Sequence, residues 1–269
     1  MPTPEQRQLA DLTDPTVNAL TRFKALSQMF DAATKRYLRG CGLRQGWLCL
    51  EVGAGGGSIA LWLCKRVGST GKVIATDIDA RFLHRGKVQN LQVWRHDITR
   101  DPLPKHAFDL VHTRMMLIHL PQRDEVLTRL VAALKPGGWL IAEEFDGLSF
   151  SADPTLSSGE VVLKTYQAMH RLNTDRGIDG RFGRLLFGRF RGLGLDQIAA
   201  EGHIFMVQKA SAAARLLRAS FELRRLAMQE AGYLTQSEFD HDMKLMRDSQ
   251  FMMPSPILWT AWGRKGNCP

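Results

Sequence analysis

The stretch Glu51-Val52-Gly53-Ala54-Gly55-Gly56-Gly57 joins a short apolar run to a segment with helical periodicity. The apolar run, residues 47–52, has the length and composition of a buried strand. After the glycines, Ile59, Leu63 and Val67 recur at spacings of four, which predicts the buried face of a helix. Because glycines carry no side chain, the backbone of such a strand-to-helix turn can approach a ligand closely at the helix N-terminus. The stretch therefore predicts a ligand-binding turn.

Four more apolar runs follow this turn and alternate with helical segments. They lie at residues 73–77, 93–97, 108–113 and 139–143. Runs this short, bounded by Gly, Pro or Asp, indicate a parallel sheet that is buried on both faces. Two later runs, 198–207 and 257–262, also have strand-like content and predict a pair that closes the fold.

The length of 269 residues favours one α/β domain with inserted elements over two independent domains. We assign residues 1–45 to an N-terminal helical cap segment. Residues 46–269 then form the α/β domain, with helical cap insertions at about 151–180 and 209–253. No internal repeat or Pro/Gly/Ser-rich linker divides the chain.

The composition, 44% hydrophobic and 23% charged, is ordinary for a soluble globular protein. No run approaches the roughly 18 apolar residues of a membrane span, and the first residues lack the features of a signal peptide. We therefore expect a cytoplasmic protein that does not bind membranes. The four cysteines show no metal-ligand or disulfide spacing, so no metal is expected.

The net charge of +9 raises the question of nucleic acid binding. The arginines are spread along the chain, and their one local concentration is Arg181, Arg184, Arg189 and Arg191. No basic tract interleaved with aromatic residues accompanies it. This pattern favours a solvated face over a phosphate-binding one, so a nucleic-acid partner is not expected.

The chemistry of the glycine turn argues against a dinucleotide. The third glycine of a G-x-G-x-x-G motif arrives one position early, at Gly57, and Ser58 takes the expected place. Glu51 would repel a pyrophosphate but suits a cationic amino group. Asp77, at the end of the second strand, can accept hydrogen bonds from vicinal ribose hydroxyls, a feature shared with NAD enzymes.

Taken together, five elements in this order resemble the class I S-adenosylmethionine (SAM)-dependent methyltransferase family, over roughly residues 45–146. The elements are Glu51-x-Gly-x-Gly-x-Gly, Asp77, His96-Asp97-Ile98, Phe108-Asp109-Leu110-Val111 and Lys135-Pro136-Gly137-Gly138. The resemblance implies a seven-stranded, mostly parallel sheet flanked by helices, SAM as cofactor and S-adenosylhomocysteine as product. The sequences around the glycines and around Lys135 also resemble those of bacterial small-molecule methyltransferases that act in specialised metabolism.

The resemblance implies roles for five residues near the methionine end of SAM. Glu51 would lie near it and act through water or backbone. The backbone of Gly53, Ala54 and Gly55 would pass beneath the cofactor, and Thr113, after the fourth strand, would approach the methionine portion.

Four further residues are implied at the nucleoside end. Asp77 would hold the ribose and Ile78 would touch the adenine. Asp97 would bind the edge of the adenine, and Ile98 would pack on its face.

Three residues near the end of the fourth strand are candidates for the transfer itself. His112 lies at the carboxyl end of that strand, where ligands of open α/β sheets bind, and is our first choice for a general base. The alternative is a histidine that hydrogen-bonds the backbone and only packs. If His112 is the base, its replacement by Ala is expected to lower transfer about 10²-fold or more with SAM binding near normal. His119 is the second choice. Arg114 would orient an acidic or carbonyl group of the acceptor or pair with Glu143 or Glu144.

Aromatic and methionine residues of the predicted cap suit a flat, apolar acceptor, although helical spacing also predicts them as core. They are Phe23, Met29, Phe30, Tyr37, Met169, Phe221, Tyr233 and Met253. The predicted activity is in-line transfer of methyl from SAM to a small aromatic or heteroaromatic metabolite, with indole compounds among the candidates. A homodimer is compatible with the sequence.

Three rival functions stay open. The net positive charge makes an RNA methyltransferase a candidate. Against it, the chain has no Asn-Pro-Pro-Tyr-like tetrad after the fourth strand. A non-catalytic SAM-binding protein would keep the same turn. An NAD-linked oxidoreductase is disfavoured by the glycine spacing and by Glu51.

Overall fold

A computed structural model describes residues 15–83, 88–150 and 163–267. The helices in these ranges are α1 (Pro15–Gly40), α2 (Ser58–Val67), α3 (Arg123–Ala133), α4 (Lys164–Asp175), α5 (Phe182–Gly192), α6 (Ala212–Glu230) and α7 (Gln236–Leu245). The strands are β1 (Leu48–Val52), β2 (Lys72–Asp77), β3 (Leu91–Arg95), β4 (Phe108–Arg114), β5 (Leu134–Asp146), β6 (Leu195–His203), β7 (Met206–Gln208), β8 (Met252–Pro254) and β9 (Ile257–Lys265). Cys268 lies outside the described residues.

Seven strands form one sheet in the order β3-β2-β1-β4-β5-β9-β6. The pairs among β1 to β5 are parallel, and β9 runs antiparallel to both β5 and β6. The prediction of a seven-stranded, mostly parallel sheet is therefore confirmed. The carboxyl ends of β1, β2 and β4 lie at one edge of this sheet, where the glycine turn begins.

The predicted strand 198–207 is wrong in one respect, because the chain leaves the sheet within it. β6 ends at His203, which pairs with Leu258 near the start of β9. Phe205 instead exchanges hydrogen bonds with Ser255, from Ser255 N to Phe205 O (2.8 Å) and from Phe205 N to Ser255 Oγ (3.0 Å). β7 then pairs with β8 in a separate two-stranded sheet.

The chain divides into two compact units. In the described residues, the helical unit comprises 15–30, 147–150, 163–177 and 204–256, and the α/β unit comprises 31–83, 88–146, 178–203 and 257–267. Helix α1 contributes its first half to the helical unit and its second half to the α/β unit. The domain limits proposed from the sequence stay a prediction.

The α/β unit has a core on each face of its sheet, because neighbouring residues of a strand point to opposite faces. On one face Leu50 and Val111 pack with Leu130 of α3 and Phe190 of α5. The other face holds side chains of the strands together with α1 and α2, namely Cys49, Leu110, Ile141, Leu38 and Leu63. This double covering explains why the strands read as nearly continuous apolar runs.

The helical unit has its own core between α4, α6 and α7. Phe221 and Met253, predicted to line an acceptor space, are 0% and 4% exposed and belong to this core. Met29, Met169 and Tyr233 pack against the same cluster. The sequence predicted these residues either to line the acceptor site or to lie in a hydrophobic core. The structure places Phe221 and Met253 in the core of the helical unit.

Candidate functional site

The glycine turn is folded back onto the end of β2. The N–H groups of Gly53 and Ala54 both donate to the Thr76 carbonyl oxygen, at 2.9 and 3.0 Å. Gly53 has a φ of +68°, and a Cβ built on it would lie 2.7 Å from Cγ of Met116. Glycine is therefore required at this position both by the left-handed backbone and by the close approach of a side chain.

Asp77 holds the turn from the neighbouring strand. One carboxylate oxygen accepts the Gly55 N–H at 2.9 Å, and the other accepts the Asp79 N–H at 2.9 Å. Beside it, the side chain of Ile78 is 66% exposed. An anchored carboxylate next to an exposed aliphatic side chain offers a ligand one hydrogen-bonding surface and one apolar surface.

Asp97 and Ile98 lie in the loop after β3 and differ in accessibility. Asp97 Oδ1 accepts hydrogen bonds from Thr99 Oγ1 (2.6 Å) and Thr99 N (3.0 Å), and these bonds hold the pKa of Asp97 below its usual value. The Asp97 side chain is 30% exposed, whereas Ile98 is 7% exposed and belongs to the sheet core. The Asp97 carboxylate is therefore partly accessible, with Arg100 Nε 3.7 Å from its Oδ2, whereas Ile98 has little accessible surface.

Glu51 and His112 are direct neighbours across β1 and β4 and form a buried pair. Nδ1 of His112 lies 2.6 Å from Oε2 of Glu51, and the two side chains are 0% and 5% exposed. Burial alone would lower the pKa of His112, but the carboxylates of Glu51 and Glu143 outweigh it and raise that pKa. The buried Nε2 of His112 has no hydrogen-bond partner in the described part of the chain.

Arg114 takes part in a polar network with α1 that the sequence analysis did not find. It donates to Thr34 Oγ1 and to Asp31 Oδ1, each at 3.0 Å, and its side chain is 11% exposed. Thr34 in turn donates to Glu143 Oε2 at 2.7 Å. The expected ion pair of Arg114 with Glu143 or Glu144 is thus replaced by an ion pair with Asp31, and Thr34 bridges to Glu143. Asp31 and Thr34 share one face of α1, but nothing in the sequence indicates that Arg114 meets this face.

The other two residues predicted near the end of β4 differ sharply in exposure. Thr113 is fully buried, and its Oγ1 has no partner among the described residues. His119 is exposed at the end of the short 3₁₀ turn Leu117–His119. The structure therefore brings Glu51, His112 and Arg114 close to the glycine turn and leaves His119 at the surface.

Glu144 is a buried carboxyl group that supports the loop after β4. Its Oε1 accepts the N–H groups of Met116 (3.1 Å) and Leu117 (2.7 Å), and Met116 is the residue that packs on Gly53. Complete burial raises the pKa of Glu144 to about 8, although the backbone hydrogen bonds oppose this shift. Glu144 thus links the base of the loop to the glycine turn.

This raised pKa gives a testable dependence of stability on pH. The folded protein holds the Glu144 proton up to about pH 8, whereas the unfolded chain releases it near pH 4.5, so stability falls as pH rises through this window. We expect Glu144→Gln to remove this loss, with a gain in the free energy of unfolding on the order of a few kcal/mol at pH 8.5 relative to pH 5. Denaturant unfolding measures it, with Glu125→Gln, at an exposed position of α3, as control. Parallel pH curves for wild type and Glu144→Gln would refute the assignment.

The local concentration of arginines on α5 is largely neutralised. Arg181 pairs with Asp179 (3.0 Å), Arg184 with Asp146 (2.5 Å) and Arg189 with Asp124 (2.5 Å). These carboxylates occupy the guanidinium groups that a phosphate backbone would need. Three of the four arginines of this run therefore have a carboxylate partner, and the solvated face stays a prediction.

Two classes of feature are not found in the residues that the structure describes. None of their helices is long and apolar enough to cross a membrane. No group of three or more His, Cys, Asp or Glu side chains among them could hold a metal ion. Cys41, Cys49 and Cys64 are buried free thiols.

Comparison with known proteins identifies the region around the turn. Residues 50–142 match the family described as a methyltransferase domain. Methyltransferase str3 of Strobilurus tenacellus is 33% identical over 87 residues, which cover 32% of this chain and 31% of the relative. The ubiquinone/menaquinone biosynthesis C-methyltransferase UbiE of Laribacter hongkongensis is 30% identical over 155 residues, 48% of this chain and 64% of that protein. The chain thus spans about a third of str3 and under two thirds of UbiE.

A solved structure extends the likeness over nearly the whole chain. Phosphoethanolamine N-methyltransferase 2 of Haemonchus contortus, in complex with phosphomonomethylethanolamine and S-adenosylhomocysteine, superposes with a TM-score of 0.58. The superposition covers 96% of this chain and 59% of that one, at 15% identity. At this identity the likeness is one of fold.

Proposed function

We propose, from the premise that this chain is a class I, SAM-dependent methyltransferase in its domain and fold, that it transfers methyl from SAM to a small-molecule acceptor. The observation that carries the proposal is the glycine turn, which Asp77 and Thr76 hold at the carboxyl ends of the parallel strands. Ligands of open α/β sheets bind at this edge.

The residues around the turn fit SAM. When bound, SAM supplies a methyl group activated by its sulfonium. The Asp77 oxygens each accept one N–H and keep lone pairs for the two ribose hydroxyls. Exposed Ile78 offers an apolar surface and Asp97 a carboxylate for the adenine, whereas Ile98 would contribute only its small exposed edge.

Three features suit the methionine end. Gly53, Ala54 and Gly55 present backbone without bulky side chains, and Gly53 allows Met116 to pack directly against the turn. Glu51 supplies negative charge near a cationic amino group, acting through the His112 pair or through water. The unpartnered Oγ1 of Thr113 supplies a buried hydroxyl at the end of β4.

For the acceptor we propose a small aromatic or heteroaromatic metabolite, with indole compounds as first candidates. The relatives support a small molecule, because UbiE is named as a C-methyltransferase of ubiquinone and menaquinone biosynthesis. Transfer by in-line displacement requires the protein to align and desolvate the two reactants. The cytoplasmic location, the absence of membrane and nucleic-acid partners and a homodimer are parts of the same proposal.

We assign the proton transfer to His112 with Glu51. The carboxylate of Glu51 holds Nδ1–H of the neutral imidazole, which leaves Nε2 as the atom that accepts a proton. The unpartnered state of Nε2 supports this role. Exposed His119 is the second candidate. Arg114, engaged by Asp31 and Thr34, is proposed to orient a polar group of the acceptor from this fixed position.

The test is transfer of labelled methyl from SAM to a panel of aromatic amines, phenols, indoles and cyclic dipeptides, with RNA as control. We expect label in one chemical class of the panel and none in RNA. Label in RNA alone would instead identify an RNA methyltransferase. Binding of SAM without transfer to any acceptor would identify a non-catalytic SAM-binding protein.

A further inference from the structure

The helical unit contains five arginines whose side chains make no hydrogen bond, ion pair or cation–π contact with any residue that the structure describes. They are Arg22, Arg176, Arg218, Arg224 and Arg247. Other arginines of the same unit have partners: Arg225 pairs with Glu222 at 3.4 Å, and Arg215 donates to Gln28 at 2.8 Å. The lack of partners is thus specific to certain positions and is not a general property of this surface.

Arg224 lies in the apolar stripe of α6. Phe221 and Met228, three residues before and four after it, are both fully buried in the core of the helical unit. Residues at these spacings share one helix face, so the stem of Arg224 runs along packed side chains. Arg224 itself is partly buried. A cation has been placed on the buried face of the helix without a counter-charge.

Two other arginines converge on Arg224 from different elements. Asn18, one turn before Arg22 on α1, donates to the Ala219 carbonyl of α6 at 3.1 Å and so ties these helices together. Arg176 follows α4, whose end is tied to the segment after α6 by a hydrogen bond from Tyr233 to Asp175. Burial, then the charges of Arg22 and Arg176, lower the pKa of Arg224 to about 10. Arg224 therefore lies close enough to both Arg22 and Arg176 to be repelled by their charges.

Unpartnered buried atoms accompany this cluster. Nε of Arg22 is buried and has no hydrogen-bond partner in the described residues. His170 Nε2 and Asn173 Oδ1, on α4 shortly before Arg176, are in the same condition. Partly buried charges and buried polar atoms are unfavourable unless something pairs with them. These unpaired groups are therefore available to bind an anion.

We propose that Arg22, Arg176 and Arg224 form a binding site for an oxyanion group, a phosphate or a carboxylate, in the helical unit. Guanidinium groups bind such groups with paired hydrogen bonds, and three cations match a phosphate dianion best. The group is either free phosphate or part of an organic molecule. The site does not depend on methyl transfer, since it can be tested by binding alone.

The test measures thermal unfolding and calorimetric binding of the full chain with inorganic phosphate, phenyl phosphate and benzoate. Phenol and sodium chloride at matched ionic strength are the uncharged and non-specific controls. We expect saturating phosphate or phenyl phosphate to raise the Tm by about 5 °C or more, since a ligand that binds only the folded state stabilises it. Phenyl phosphate at least tenfold tighter than inorganic phosphate would assign the anion to an organic ligand, and equal affinities would assign it to free phosphate.

Two variants and one matched control separate the site from general charge effects. Arg224→Gln and Arg22→Gln should each weaken anion binding at least tenfold. Exposed Lys209→Gln, which changes the net charge equally within the same unit, should leave binding unchanged. Without anion, Arg224→Leu should have a higher Tm than wild type, because it removes an unpaired, partly buried charge. No Tm shift with any of the anions, or a shift that survives both glutamine substitutions, would overturn the proposal.

Discussion

Replacement of Gly53 by alanine is expected to weaken SAM binding by about 10- to 100-fold. A left-handed φ of +68° costs a residue with a Cβ about 1–2 kcal/mol, and the new Cβ would lie 2.7 Å from the Met116 side chain. Met116 would have to move, or the turn would have to open, at the place where we put the methionine end of the cofactor. Calorimetric titration with SAM measures the effect.

Gly188→Ala is the matched control for this substitution. Gly188 lies within α5, and a Cβ there would meet nothing within 4 Å. Alanine is favoured over glycine inside a helix by roughly 0.5–1 kcal/mol, so this variant should be as stable as wild type or more so. It should bind SAM normally. Equal SAM affinities of Gly53→Ala and wild type would contradict the proposed position of the cofactor.

Replacement of His112 by alanine is expected to lower both the stability of the fold and the rate of methyl transfer. It leaves Glu51 buried without its partner, and breaking a buried pair in this way costs about 3–5 kcal/mol of the free energy of unfolding. If His112 is the base, methyl transfer falls about 10²-fold or more, with SAM binding near normal. Denaturant unfolding and turnover at saturating acceptor measure the two effects.

A second variant keeps the two effects apart. His112→Gln retains a donor towards Glu51 and should be the more stable of the two variants, yet it has no basic nitrogen. Because the pKa of His112 is raised, the neutral form gains population as pH rises, so wild-type turnover should increase with pH above the usual histidine range. The His112→Gln profile should lack this rise. Unchanged turnover in His112→Gln, with a large loss in His119→Ala, would transfer the role to the exposed histidine.

The sheet was accessible from the sequence because its signals are local. Each parallel strand is buried on both faces and therefore reads as a short apolar run, as at Leu48–Val52 and Phe108–Arg114. Gly53 and Asp77 could be predicted at the turn because both stand at strand ends, and the structure places them there. The break between His203 and Met206 was missed because both sides have strand composition, and only the long-range pairing with Met252–Pro254 separates them.

The polar network of the site could not be read from spacing. Arg114 and its partners Asp31 and Thr34 are 80 or more residues apart along the chain, and no local pattern indicates which carboxylate an arginine will choose. The same limit applies to the arginines of the helical unit. The pair of Arg225 with Glu222, three residues apart on one helix, is a local spacing, whereas the approach of Arg22 and Arg176 to Arg224 comes from distant parts of the chain.

The central claim is that the glycine turn holds SAM, and direct calorimetric titration of the wild-type chain with SAM and NAD side by side tests it. We predict saturable binding of SAM and S-adenosylhomocysteine at one site per chain, with the loss described above in Gly53→Ala, and no saturable binding of NAD. Binding of NAD with no binding of SAM would contradict the claim that the glycine turn holds SAM. It would favour an NAD-linked oxidoreductase instead.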